Sequence, residues 1–178
     1  AFDRLYDTAP ASAIEAARAS AEAMYARDQA SKAMGAVLTG IGPGFASMTM
    51  TVRRDMLNGY GTCHGGTLFA LADSAFAFAC NSRNEATVAA GCSIEFLRAG
   101  REGQQLTATA VERARSGKSG VYDVTVTDEA GEVLALFRGD ELLTVAITPA
   151  VPAADTWTFT LAEASGEVLA RRVAWLGS

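Results

Sequence analysis

The segment Asn58–Phe76, NGYGTCHGGTLFALADSAF, continues to Cys80 and sets Leu68, Phe69, Leu71, Ala72, Ala75, Phe76, Phe78 and Ala79 on almost every face of one helix. A helix apolar all round cannot lie on a surface, so the rest of the chain must wrap it. Two features are out of keeping with a plain core helix. The only histidine, His64, is followed at once by Gly65 and Gly66 at the helix start, and one acid, Asp73, stands among the apolar residues. The first turn of a helix presents unpaired backbone N–H groups and partial positive charge, which suits a developing oxyanion. A carboxylate in apolar surroundings is unfavourable unless it is paired, hydrogen-bonded or used.

Asp73 lies eight residues beyond Gly65, which is about 12 Å along the axis at ~1.5 Å per residue. Catalytic groups and oxyanion donors each work at about 3 Å from the reacting atoms, so one carbonyl group cannot touch both positions. Two such helices antiparallel about a two-fold axis would set Asp73 of one copy opposite Gly65 of the other. The spacing therefore predicts a site shared within a dimer.

With 178 residues, 49% hydrophobic and 20% charged, the chain has an ordinary globular composition and suits one core with extensions. A net charge of -5 argues against nonspecific binding to nucleic acid or an anionic membrane. Charge interrupts every apolar stretch before bilayer-spanning length, and no basic segment leads into an apolar one at the N-terminus, so the expected location is cytoplasmic. Cys63, Cys80 and Cys92 are odd in number and lack CxxC spacing, which suits free thiols in a reducing compartment. With one histidine and no acids clustered near these cysteines, no zinc-type ligand set is expected. Cys63 beside His64 reads as structural, because catalytic pairs normally join distant segments.

Ser12–Met34 predicts an N-terminal helix, with Ser12 and Glu15 at capping-box spacing and Gly35 placed to end it. Ala46, Met48, Met50 and Val52 alternate with polar residues, the period of a strand with one buried face. After the central helix come four strand-like segments, Thr87–Arg98, Gln104–Arg115, Ser119–Asp128 and Glu132–Ile147. Their short Gly-containing connections predict a hairpin-linked antiparallel meander around the helix, an α+β architecture. Pro149 and Pro152 mark a linker, and Trp157–Leu161 and Glu167–Trp175 flank a turn that reads as an extra hairpin. The expected organisation is a helical segment over 1–35, a central domain over 36–148 and an extension over 149–178.

Gly117-Lys118-Ser119 ends like a phosphate-binding loop, but the motif's first glycine would fall at Glu112 and the segment joins two strands. Arg113, Arg115, Ser116, Gly117 and Lys118 still gather positive charge and free amides in one turn. Such a turn suits either a ligand phosphate held without hydrolysis or a solvated hairpin tip.

LNGYGTCHGGTLFALADSAFAFACNS, followed by IEFLRAG, SGKSGVYDV and LFRG, resembles the hotdog-fold acyl-CoA thioesterases, most closely the phenylacetic acid degradation (PaaI-like) subgroup. The resemblance spans about residues 22 to 145. It implies a hotdog fold, in which a curved antiparallel sheet wraps a long central helix, here with an N-terminal helix and a C-terminal extension. It implies a homodimer with two sites at the interface, usually paired again into a homotetramer. It implies hydrolysis of an aryl-acetyl or hydroxyphenylacetyl-CoA thioester, with coenzyme A as part of the substrate and no separate cofactor or metal. By resemblance, Asp73 is the nucleophile or the general base, the Gly65 N–H receives the thioester oxygen, and His64 and Asn58 hold or polarise the carbonyl. Ser116, Gly117, Lys118 and Arg138 match positions that contact coenzyme A. Some relatives carry a serine where this chain has Ala89 or Ala90. A hotdog acyl-CoA dehydratase or hydratase and a noncatalytic acyl-CoA-binding module are the alternatives.

Overall fold

A computed structural model describes residues 9–85, 87–117, 119–144, 161–162 and 168–170. Helices α1 (Ala11–Arg27) and α2 (Gln29–Met34) lead into strands β1 (Val37–Gly42) and β2 (Phe45–Thr51). Helix α3 (Gly65–Cys80) follows, and then β3 (Thr87–Phe96), β4 (Gln105–Ser116), β5 (Ser119–Thr127) and β6 (Val133–Thr144). A pair of short strands, β7 (Leu161–Ala162) and β8 (Val168–Ala170), forms a separate antiparallel ribbon.

The wrapped helix is present. α3 crosses the face of a six-stranded antiparallel sheet of order β1-β2-β4-β5-β6-β3. Met48 and Met50 of β2, Ala108 and Ala110 of β4, Val124 and Val126 of β5, and Ala135 and Phe137 of β6 are all buried. They meet the buried Leu71, Ala72, Ala75, Phe76 and Ala79 of α3 in one core. The alternation of strand residues turns one set inward. Small side chains on both partners let the helix sit close to the sheet.

Three expectations are corrected. The single N-terminal helix is two, because the Asp28 carboxylate accepts the Ser31 N–H at 2.9 Å and starts a second helix, the local competition that favours Asp at helix starts. The Ser12–Glu15 box is not used, and Pro10 precedes α1 with no side-chain cap. The strands after α3 are not one continuous meander: β4, β5 and β6 are, but β3 pairs with β6 at the far edge. α3 lies across the sheet, so β3 has to return along the open side of the helix. The Leu97 and Arg98 N–H groups then anchor on the Leu134 carbonyl at 2.8 and 3.1 Å. β1 is an added strand, turned into β2 by Pro43 and Gly44, whose φ of +72° suits the third position of a type II turn.

α3 is fastened at both ends. At its N-terminal side the Cys63 N–H reaches the Gly100 carbonyl at 2.9 Å. Beyond its C-terminus Arg83 pairs with Glu112 at 2.5 Å, and Glu112 also accepts from the buried Tyr122 hydroxyl at 2.7 Å. Burial and that bond push the Tyr122 phenol well above its usual range. Between these ends, the fully buried Ser31 links Asp28 of the N-terminal helices to Ser74 of α3, with oxygens 2.5 and 3.1 Å apart. Among the described residues no helix is long and apolar enough to cross a membrane.

Candidate active site

The start of α3 is built by local chemistry. His64 precedes the helix in extended conformation (φ −62°, ψ 134°), and its Nδ1 accepts the Gly66 N–H at 2.9 Å. The Thr67 and Leu68 N–H groups both reach the His64 carbonyl, at 2.9 and 3.2 Å. Of the donors that a helix start leaves over, this removes all but one. The Gly65 N–H has no partner among the described residues. Gly65 lines a cleft of about 330 Å³ with Thr62, Cys63, Leu68, Phe96 and Leu97. Because Nδ1 accepts, Nε2 is the nitrogen of the exposed ring left to donate.

Asp73 stands two turns along the same unbroken 16-residue helix, so the axial offset from Gly65 of about 12 Å is retained. Its neighbours at helical spacing, Phe69, Ala70 and Ala77, are only partly covered by their own chain, whereas Leu71, Ala72, Ala75 and Phe76 are buried. Asp73, itself half-buried, therefore sits midway along the side of α3 that this chain covers least. It has no hydrogen-bond partner among the described residues. Burial pushes its carboxyl above the usual carboxylate range. The edge strand β3 slips register at Ala89, Gly91 and Cys92. Ala89, Ala90 and Gly91 bring no hydroxyl there, and the space about Gly91 is open.

Asn58 is engaged within its own loop. Its Oδ1 accepts the Tyr60 and Thr62 N–H groups at 2.9 and 3.2 Å, and its Nδ2 donates to the Thr62 hydroxyl at 3.0 Å. The side chain thus ties the turn that bridges Leu57 to Cys63 and delivers His64 to the helix start. The His64 N–H is held there by the Met56 carbonyl at 2.8 Å. Asn58 does not line the cleft.

The second group of residues is dispersed within one chain. Ser116 and Gly117 form the β4–β5 hairpin tip, and Arg115 beside them pairs with Glu85 just past the far end of α3. The length of α3, 16 residues or about 24 Å, separates that region from Gly65. Lys118 lies outside the described residues. Arg138 points away from α3, because its neighbours Phe137 and Gly139 face the helix and strand side chains alternate. Its Nε bonds Asp123 at 2.7 Å, and Arg113 takes the other oxygen at 2.7 Å. Arg138 and then Arg113 hold the Asp123 carboxyl below its usual range.

Phe96 escaped the sequence reading. A Cβ placed on Gly65 would come within 3.2 Å of the Phe96 ring, a contact between residues 31 positions apart that no local pattern announces. Cys63, Cys80 and Cys92 form no disulfide, and burial pushes the thiols of the first two up.

Residues 60–135 match the family model described as thioesterase superfamily. The acyl-coenzyme A thioesterase PaaI of Escherichia coli is 50% identical over 119 residues, which are 67% of this chain and 85% of that protein. The solved structure of the E. coli PaaI protein from the phenylacetic acid degradation operon superposes with a TM-score of 0.73 at 46% identity, covering 75% of this chain and 96% of that one. A hypothetical thioesterase from Streptococcus pneumoniae TIGR4, solved with coenzyme A, superposes with a TM-score of 0.59 at 27% identity, covering 61% of this chain and 85% of that one.

Proposed function

This chain belongs to the thioesterase superfamily, as a hotdog-fold acyl-CoA thioesterase of the PaaI kind, and from that premise we propose that it hydrolyses aryl-acetyl or hydroxyphenylacetyl thioesters of coenzyme A to the free acid and coenzyme A. The observation that carries the reading is the division of labour along α3. One unpartnered first-turn N–H, on Gly65, belongs to a residue that lines a cleft, and one unpartnered carboxyl, on Asp73, lies on the least covered side of the same helix.

The thioester oxygen accepts the Gly65 N–H, and charge develops on that oxygen as the carbonyl carbon becomes tetrahedral. The attacking oxygen comes from the Asp73 carboxylate itself or from a water whose proton Asp73 takes. Collapse breaks the C–S bond and releases coenzyme A, which leaves as thiolate and takes up a proton. On the first route, water then cleaves the acyl-aspartate. The reaction as proposed draws on water, the Asp73 side chain and the Gly65 backbone N–H, and calls on no metal or separate cofactor. His64 keeps the Gly66 N–H occupied, so Gly65 is the donor offered. Asn58 and Thr62 shape the loop that holds both.

Two copies paired antiparallel would bring Asp73 of one to Gly65 of the other. The same pairing would set the hairpin tip of Ser116 and Gly117 near the partner's cleft, where its amides can take a phosphate of coenzyme A. Arg138, on the outer face of the sheet, reaches such a ligand only from a further copy, which suits a dimer of dimers. The arrangement fits the cytoplasm, where coenzyme A thioesters are made and used.

Thiol release from a panel of acyl-CoAs tests the proposal. Asp73→Asn should lower kcat/KM by about 10²-fold or more. In the wild type, kcat/KM should rise with pH through an acid limb above the ordinary carboxylate range, since the ionised form works and burial disfavours it. A fully active Asp73→Asn enzyme would overturn the assignment.

A further inference from the structure

We propose that Phe96 determines acyl specificity: its ring is the wall against which the acyl group lies, and it selects a flat aromatic acyl group over an aliphatic one of similar length. The inference rests on the thioesterase reading of the cleft.

Phe96 is the last residue of β3 and is 52% exposed, unusual for a phenylalanine beside a cleft floor as buried as Leu68 and Cys63. Three atoms of its ring, Cζ, Cε1 and Cε2, stand 3.2, 3.5 and 3.6 Å from the place a Gly65 Cβ would occupy. The ring therefore lies directly over the residue that carries the unpartnered N–H. A carbonyl oxygen bound there sits about 3 Å from that nitrogen, and the group attached to the same carbon enters the cleft that the ring lines. The core aromatics are already matched with one another: Phe69 with Phe137, and Phe76 with Tyr122 and Phe137. Phe96 is in no such ring pair among the described residues, so its face is available to a ligand. Leu68, Leu97 and Cys63 complete an apolar lining, and Arg98 at the rim is tied to Glu132. An aromatic acyl group would gain an offset or edge-to-face contact with Phe96 that an alkyl chain of equal area would not.

kcat and KM are to be measured for phenylacetyl-CoA and hexanoyl-CoA with the wild type, Phe96→Leu and Phe96→Tyr, each checked for folding by its thermal transition. In Phe96→Leu the ratio of kcat/KM for the aromatic over the aliphatic substrate should fall about two- to tenfold, mainly through KM for phenylacetyl-CoA. Phe96→Tyr should keep the wild-type ratio. If Phe96→Leu changes both substrates by the same factor, or if Phe96→Tyr loses the ratio as fully as Phe96→Leu does, Phe96 does not select. Wild type that hydrolyses neither substrate would instead remove the thioesterase reading, and this inference with it.

Discussion

At the scale of single residues, His64 does two things with one ring. Nδ1 caps the helix through the Gly66 N–H, and Nε2 of the exposed side chain is left to donate. The two roles separate by substitution. His64→Asn keeps an acceptor at the position where asparagine is a favoured helix cap, whereas His64→Ala abolishes it, at about 1 kcal/mol. His64→Asn should therefore melt close to wild type yet lose rate, and His64→Ala should lose both. Indistinguishable denaturation midpoints for the two variants would show that the cap contributes nothing. These residues were legible from sequence because their relations are local: a histidine next to two glycines at the start of an apolar helix is already a cap and a donor.

At the scale of elements, the fit of α3 against β6 decides how accurately Asp73 is held. Gly139 on β6 has no room for a side chain, because a Cβ there would overlap the Phe76 ring, and Phe76 is one turn from Asp73. Gly139→Ala should destabilise the fold by about 1–3 kcal/mol, the range for overfilling a packed core. A denaturant midpoint unchanged from wild type would contradict this. The strands and the wrapped helix were readable from their periods, since alternation and all-round apolarity report the environment directly. β1 was not, because Val37-Leu38-Thr39-Gly40-Ile41-Gly42 has two glycines and no clean alternation. The break at Asp28 was hidden inside an alanine-rich run that favours helix on both sides. The placement of β3 beside β6 and of Phe96 over Gly65 depends on how the sheet closes around the helix, which is tertiary information. For the same reason, the sequence could name Ser116, Gly117 and Arg138 but could not show how far they lie from the Gly65 cleft within one chain.

At the scale of the whole molecule, the described chain holds the donor at one end of α3, the acid midway, and the Ser116–Gly117 hairpin tip beyond the other end, along one axis. A second antiparallel copy is the simplest arrangement that brings them together. Gly65→Pro removes the donor. Proline is favoured at the first position of a helix, and the extended backbone of His64 (ψ 134°) suits a residue before proline, so the N–H is removed with little disturbance beyond the Phe96 ring. Gly65→Pro and Asp73→Asn chains, each inactive alone, should be co-expressed in equal amounts and assayed for thiol release. If each site takes Gly65 from one copy and Asp73 from the other, half of the dimers are mixed and each mixed dimer restores one of its two sites. The preparation should then show about a quarter of wild-type activity. Activity no greater than that of the two parent variants, in preparations shown to contain mixed dimers, would contradict a site shared between copies.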